Sequence, residues 1–252
     1  MKETAIRAAK EAGQIQLSYF CKDLKKSIKK DGSYVTEVDL KCIKSIRKII
    51  LDQFPNHSIL DEEMGFLKKS PDYKWIIDPL DGTHNFMMDN PLFGVSIALE
   101  HKKKIVLGVI YMPVLNRLYY GELGKGAFCN GRRLKVNNND NIRKSLFMYD
   151  VKLKADTDWK VKMLKNISKH TWHLRMHGAA VYNLVTVAEG KADFALDFDS
   201  NSWDHSAGFL MIEEAGGKVT DLNGKKWTPY IKGYVASNGK IHEKVLKVLN
   251  NR

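Results

Sequence analysis

The residues best placed to do chemistry are acids at the ends of apolar runs. Trp75-Ile76-Ile77 reads as a buried strand that stops at Asp78, and Asp81 follows after Pro79 and Leu80, so two carboxylates leave one strand end together. Pro79 brings no amide hydrogen and Gly82 permits a tight backbone, a turn able to aim both acids at one cation. Hard divalent ions such as magnesium take carboxylate and carbonyl oxygens, and two neighbouring ions need carboxylates from more than one segment. Two further segments qualify: Asp61-Glu62-Glu63 after the apolar pair Ile59-Leu60, and Asp204 after Trp203 at the mouth of an apolar helix. The amides of Gly82, Thr83 and their successors can hold an anion, as turns and helix starts do. The chemistry predicted is metal-assisted handling of phosphate. Singly, each acid has a plainer use: Asp78 and Asp81 as turn formers, Glu62 as a solvated surface residue, Asp204 as a helix N-cap and Asp39 as a capping residue. Their joint occurrence favours a site.

Other constellations compete less well. Asp197-Phe198-Asp199-Ser200 has the form of the nucleophile motif of haloacid-dehalogenase-type phosphatases, in which an aspartate is phosphorylated. It comes late in the chain and leaves the other acids unexplained. His170, His173 and His177 lack the ligand spacing of a zinc site and read as surface or packing residues. Neither a GxSxG elbow nor a CxxxxxR loop occurs. Cys21, Cys42 and Cys129 form no CxxC pair, which suits a reducing compartment. The first twenty residues carry Lys2, Glu3, Arg7, Lys10 and Glu11 instead of the apolar core of a signal peptide. No apolar run approaches the roughly 20 residues that span a bilayer. A soluble cytoplasmic protein without a membrane partner is expected. The net charge of +12 comes from scattered lysine clusters such as Lys102 to Lys104, little interleaved with aromatics. They read as solvated lysines, and nucleic acid is not expected as a partner.

The elements that must position the acids follow from periodicity. The chain has 252 residues, enough for one large domain or two closely packed lobes. Ile6, Ala9, Ala12, Ile15 and Tyr19 recur at helical spacing, and a second helix runs from about Thr36 to Phe54 on Leu40, Ile43, Ile46, Ile49 and Ile50. Thr36 and Asp39 form a capping-box variant at its start. From Trp75 to Lys135 the runs are short and β-rich, with Asn130-Gly131 as a hairpin turn. An antiparallel sheet flanked by the two helices is predicted. The polar run Asn137 to Asn141 divides an N-terminal lobe, 1–138, from a C-terminal α/β lobe, 139–252. In the latter, helices are predicted around Val161 to Ser168, Ala180 to Glu189, Ala207 to Glu214 and His242 to Leu249, and strands at Phe194 to Phe198 and Lys218 to Thr220.

Ile76-Ile77-Asp78-Pro79-Leu80-Asp81-Gly82-Thr83-His84-Asn85-Phe86 resembles the first signature of the inositol monophosphatase family, and Trp203-Asp204-His205-Ser206-Ala207-Gly208 with Glu214-Ala215-Gly216-Gly217 resembles the second. Leu60 to Glu63, Asp31 to Asp39 and Gly124 to Gly131 match in order and approximate spacing, so the resemblance covers nearly the whole chain. It implies an α+β fold, the layered αβαβα sandwich shared with fructose-1,6-bisphosphatases, in a homodimer. It also implies roles. Glu62, Asp78 and the Leu80 carbonyl would hold one magnesium, Asp78, Asp81 and Asp204 a second, and Glu62 would help bind a third, weaker one. Thr83 and Asp39 would orient and deprotonate the attacking, metal-bound water. Gly82 and Thr83 amides would hold the phosphate, while Asp81, Asp197, Gly178, Ala179 and Ala180 would face the substrate. Ala179 departs from the Ser or Thr of many members, which removes one hydrogen bond to the leaving group. A lysine of the family falls at Lys29 or Lys30. The implied activity is magnesium-dependent, lithium-sensitive hydrolysis of a small phosphorylated metabolite. Thr83-His84-Asn85-Phe86 is closest to the form found in inositol phosphatases, so inositol 1-phosphate comes first. Fructose 1,6-bisphosphate, 3′-phosphoadenosine 5′-phosphate and histidinol phosphate are the alternatives, and a basic RNA-associated protein is the non-enzymatic one.

Overall fold

The computed structural model describes residues 1–22, 26–28, 34–150 and 156–250. Lys29, Lys30 and Asp31 to Ser33 lie outside the described residues. Helix α1 (Lys2–Tyr19) is followed by a ribbon of β1 (Lys26–Ile28) and β2 (Tyr34–Thr36), then by α2 (Glu37–Gln53). The buried face of α1 is made of Ala5, Ala8, Ala9 and Ala12, with Ile6 and Ile15 only half-buried. The apolar stripe is thus rotated from the one expected, because small side chains let the helix approach α2 and the sheet closely. On α2, Cys42 joins Ile43, Ile46 and Ile50 inside, while Leu40 is exposed.

The first sheet contains β3 (Ser58–Asp61), β4 (Gly65–Leu67), β5 (Tyr73–Asp81), β6 (Gly94–His101), β7 (Lys104–Met112), β8 (Arg117–Glu122), β9 (Gly126–Cys129) and β10 (Arg132–Arg133), with the short α3 (Thr83–Met87) between β5 and β6. Its order is β10-β9-β8-β7-β6-β5-β3-β4. All neighbours are antiparallel except β3 and β5, which run parallel, and β3 lies outside the Trp75 to Lys135 stretch for which an antiparallel sheet is predicted. The Asn130-Gly131 turn between β9 and β10 has φ of +47° and +82°, the left-handed pair that a two-residue hairpin of this type demands.

The second sheet is built from β11 (Leu146–Tyr149), β12 (His173–Arg175), β13 (Phe194–Asp197), β14 (Lys218–Asp221) and β15 (Tyr234–Ser237), in the order β12-β11-β13-β15-β14. β11 is parallel to both β12 and β13, and β15 is antiparallel to its neighbours. The helices are α4 (Thr157–Ser168), α5 (Ala180–Ala188), α6 (Ser202–Glu214) and α7 (His242–Asn250). Helix α6 begins five residues earlier than its apolar run predicts, which places Asp204 inside the first turn.

Three apolar cores define the layering. One joins α1 and α2 to the first sheet, the second fills the space between the sheets around α5 and α6, and the third joins the second sheet to α4 and α7. The order is therefore helix, sheet, helix, sheet, helix, the expected α+β sandwich. Strand alternation supplies this directly: Ile76 faces the middle core and Ile77 the outer one. Helix α6 comes so close to the first sheet that a Cβ on Gly108 would stand 2.9 Å from the Ala207 carbonyl oxygen. Burial on both sides explains why α6 is apolar almost all round.

Candidate active site

Strand β5 continues through Asp78 to Asp81, past the point where the sequence predicts it to stop. In a regular strand, residues three apart point to opposite faces. Here Asp78 pairs with Ser96 and Asp81 with Gly94, so three steps on β5 match two on β6. The extra residue is a bulge, and it returns both carboxylates to the face of the middle layer. Asp78 Oδ1 accepts from the Leu80 amide at 2.9 Å, and the Pro79 carbonyl accepts from buried Gln16 Nε2 of α1 at 2.8 Å. The turn is thus fixed from both sides.

Beside it, the parallel register of β3 sets Asp61 opposite Ile77, which brings Glu62 next to Asp78. Asp61 itself is fully buried and committed elsewhere. Its Oδ2 accepts from Arg47 Nε at 2.7 Å, and its Oδ1 accepts from the amides of Glu63 and Met64. Of the Asp61-Glu62-Glu63 run, Asp61 builds the turn and Glu62 is presented by it.

The other acids are each held at a helix start. Asp39 Oδ2 accepts from the Thr36 amide at 2.8 Å and its hydroxyl at 2.6 Å, a full capping box on α2. Its Oδ1 faces Thr83 Oγ1 at 3.2 Å, and the same hydroxyl stands 3.0 Å from the Leu80 carbonyl. Asp81 accepts from the Ala180 and Val181 amides, at 3.2 and 2.9 Å, at the start of α5. Asp204 Oδ2 reaches back to the Asn201 amide at 2.7 Å on α6. Unpaired amides and the helix dipole favour negative charge at such positions. This is how the fold tolerates several carboxylates in one place.

They still repel one another. Burial first, then Glu62, Asp81 and Asp204, push the Asp78 carboxyl well above its ordinary range. Burial and Asp204 do the same for Asp81, and burial, with a smaller part from Glu62, raises Asp39. Among the described residues no three His, Cys, Asp or Glu side chains stand close enough to share an ion as they are. The donor set nevertheless has the composition a hard cation takes: carboxylates from three segments beside a backbone carbonyl, costly to keep together without positive charge.

The remaining expected residues line the same region. Gly82 has φ +82°, and a Cβ there would lie 3.2 Å from that of Ala179. Gly178 has φ +70°, and Asn85 Nδ2 donates to the His177 and Leu92 carbonyls, fastening this loop beside α3. The Ala180 amide donates to Asp81 Oδ1 at 3.2 Å. Asp197 ends β13, with Oδ1 accepting from the Asp199 amide at 2.8 Å, and burial followed by Asp150 and Asp204 raises its pKa well above the ordinary range. Gln16 and Asp150 were not singled out by the sequence, and Asn85 was named only as part of a signature. Gln16 lies on a helix face otherwise read as apolar, and Asp150 follows a strand, β11, that periodicity does not reveal.

Comparison with known proteins places the chain by family and fold. The model of the inositol monophosphatase family matches residues 1–252. The chain is 34% identical over 250 residues to a fructose-1,6-bisphosphatase/inositol-1-monophosphatase of Aquifex aeolicus, covering 98% of this chain and 94% of that protein. It is 35% identical to the Nus factor SuhB of Pasteurella multocida over 229 residues, 89% of this chain and 86% of the other. Among solved structures, the extragenic suppressor protein suhB of Bartonella henselae superposes with a TM-score of 0.94 at 33% identity, covering 99% and 98% of the two chains. An IMPase/NADP phosphatase complexed with Mg2+ and phosphate does so with a TM-score of 0.82 at 25% identity, over 96% and 92%. No helix among the described residues is long and apolar enough to cross a membrane.

Proposed function

The chain belongs to the inositol monophosphatase family, and on that premise we propose that it is a magnesium-dependent phosphatase of small polyol or sugar monophosphates, inositol 1-phosphate first among them. The observation that supports this reading is the Thr83–Asp39 pair beside the strand end where Asp78 feels the charges of Glu62, Asp81 and Asp204. Glu62, Asp78, the Leu80 carbonyl, Asp81 and Asp204 would hold the magnesium. Bound there, it supplies charge neutralisation at the phosphoryl oxygens and a more acidic water.

The chain's own residues do the rest. With its hydrogen directed to Asp39, the Thr83 hydroxyl offers a lone pair that orients the attacking water and takes its proton, while Asp39 receives the threonine proton in turn. The raised affinity of Asp39 for a proton suits it to that end of the relay. The left-handed Gly82 lets its own amide and that of Thr83 turn toward a phosphate oxygen. Asp197, across the middle layer, accepts a hydroxyl of the alcohol being released.

Kinetics on inositol 1-phosphate, fructose 1,6-bisphosphate, 3′-phosphoadenosine 5′-phosphate and histidinol phosphate with magnesium test the reading, and inositol 1-phosphate is expected to have the highest kcat/KM. Another winner overturns the substrate, and no phosphate release from any overturns the activity. The similarity to a Nus factor favours a second reading, a basic RNA-associated protein on the same fold. That reading requires RNA binding with a steep salt dependence together with no turnover of the panel.

A further inference from the structure

The second sheet sets one more polar group beside the site. Asp197, the last residue of β13, pairs in antiparallel register with Tyr234, the first residue of β15. Alternation puts both side chains on the middle-layer face, the face of Ala195 and Ala236. The Tyr234 ring packs edge-on against Phe209 at 4.7 Å and His205 at 6.0 Å, under the first turns of α6, the helix that carries Asp204. It is 1% exposed.

A phenol so buried ordinarily has a hydrogen-bond partner. Among the described residues no side chain or backbone group is hydrogen-bonded to the Tyr234 hydroxyl, and, unlike the Tyr149 hydroxyl, it is not one of the fully enclosed polar atoms left without a partner. Its surroundings are acidic: beyond the effect of burial, Asp197, then Asp150, Asp204 and Asp81, hold its proton more firmly. Asp197 spends one oxygen on the Asp199 amide. Asp150 extends β11 by one residue beyond Tyr149, whose parallel partner is Leu196, so it stands next to Asp197.

Resting on the phosphatase reading above, we propose that Tyr234 is a specificity-determining residue whose phenol donates to a hydroxyl of the leaving alcohol while Asp197 accepts from that hydroxyl. A donor beside an acceptor matches a group that does both, and an alcohol is such a group. A second phosphate accepts only and carries negative charge, so it would meet Asp197 and Asp150 unfavourably. The class selected is phosphate monoesters with a free hydroxyl, not a second phosphate, beside the ester. The tyrosine thereby offsets the hydrogen bond absent at Ala179.

The test compares the magnesium-loaded full chain with its Tyr234→Phe variant on inositol 1-phosphate and on 4-nitrophenyl phosphate, which has no neighbouring hydroxyl, with thermal melts of both proteins. Phenylalanine fills the same space and removes a hydroxyl that makes no internal bond, so Tm should stay level or rise. The kcat/KM for inositol 1-phosphate should fall about 3- to 10-fold, and that for 4-nitrophenyl phosphate should hold within about two-fold. Equal losses on both substrates, or a Tm lowered by several degrees, would mean that Tyr234 only supports α6. No loss on either would mean it touches no substrate. A wild-type protein that releases phosphate from neither compound refutes the phosphatase reading and this proposal with it, an outcome distinct from failure of Tyr234 alone.

Discussion

Asp39→Asn separates the structural work of one side chain from its chemical work. The asparagine oxygen can take the place of Asp39 Oδ2, accepting from the Thr36 amide and hydroxyl, so the α2 cap survives. Its amide nitrogen then occupies the Oδ1 position, 3.2 Å from Thr83 Oγ1, and donates where the carboxylate accepted. The threonine hydrogen must swing to the Leu80 carbonyl, already 3.0 Å away, and residue 39 can no longer receive a proton. Loss of a positioned proton acceptor costs typically about 10²- to 10⁴-fold in rate. Loss of the cap as well would cost about 0.5–2 kcal/mol, or roughly 1–8 °C at the 2–4 °C per kcal/mol usual for this size. The buried charge also disappears, and with it the desolvation cost that raises the Asp39 pKa. The expectation is a fall in kcat of about two to four orders of magnitude with Tm level or slightly higher. Steady-state kinetics and a thermal melt at one pH measure both. A near-normal kcat would refute the relay, and a Tm loss beyond the cap range would refute the claim that the cap survives.

Asp78 and Asp81 have folded-state pKa values above their unfolded ones, so their ionisation destabilises the metal-free fold at neutral pH, and the penalty vanishes as pH falls through the raised values. In chelator, Asp78→Asn should therefore melt above wild type at pH 8, with a gap that closes on acidification; a gap independent of pH would refute this. Comparing the two proteins cancels buried His205 and His242, whose values lowered to about 3 and about 4 make stability fall as pH drops below 6.5. Arg47→Met leaves the fully buried Asp61 without its cation, which should cost about 3–5 kcal/mol and lower Tm by roughly 6–20 °C; a loss under a few degrees by calorimetry would show that the amides of Glu63 and Met64 suffice. Lithium titrated at fixed magnesium should inhibit phosphate release, and activity unchanged across the titration would refute competition at a magnesium position.

The fold was legible wherever one segment carries its own period. The long helices, the hairpin at Asn130-Gly131 and the β-rich stretch all emerge because alternation and turn chemistry are local. The short strands β3, β4, β11, β12 and β15 do not, since a run of three or four residues has too few positions to show a period and is decided by its neighbours. Tyr234 was invisible for that reason: β15 exists because it pairs with β13 and β14. The bulge at Asp78 to Asp81 is likewise a relation between two strands. The sequence shows that two acids are close, and only pairing with Ser96 and Gly94 decides that they share a face.

The reading of Asp39 and Asp204 as either capping residues or site residues offers a choice that the molecule does not make. Both occupy the third position of a helix and reach back to the preceding amide, at 2.8 and 2.7 Å. That bond uses one carboxylate oxygen and fixes the side chain's direction, which a catalytic or metal-holding acid also needs. The positive end of the helix offsets part of the repulsion that ionised neighbours impose, so the cap is a condition for keeping the acid charged near others. Asp81 reaches the same end differently, with both oxygens on the first amides of α5. Helices α2, α5 and α6 thus converge by their N-termini on one strand end. A substitution that removed an acid's cap while keeping its charge should therefore damage the site more than the stability lost from the helix alone would account for.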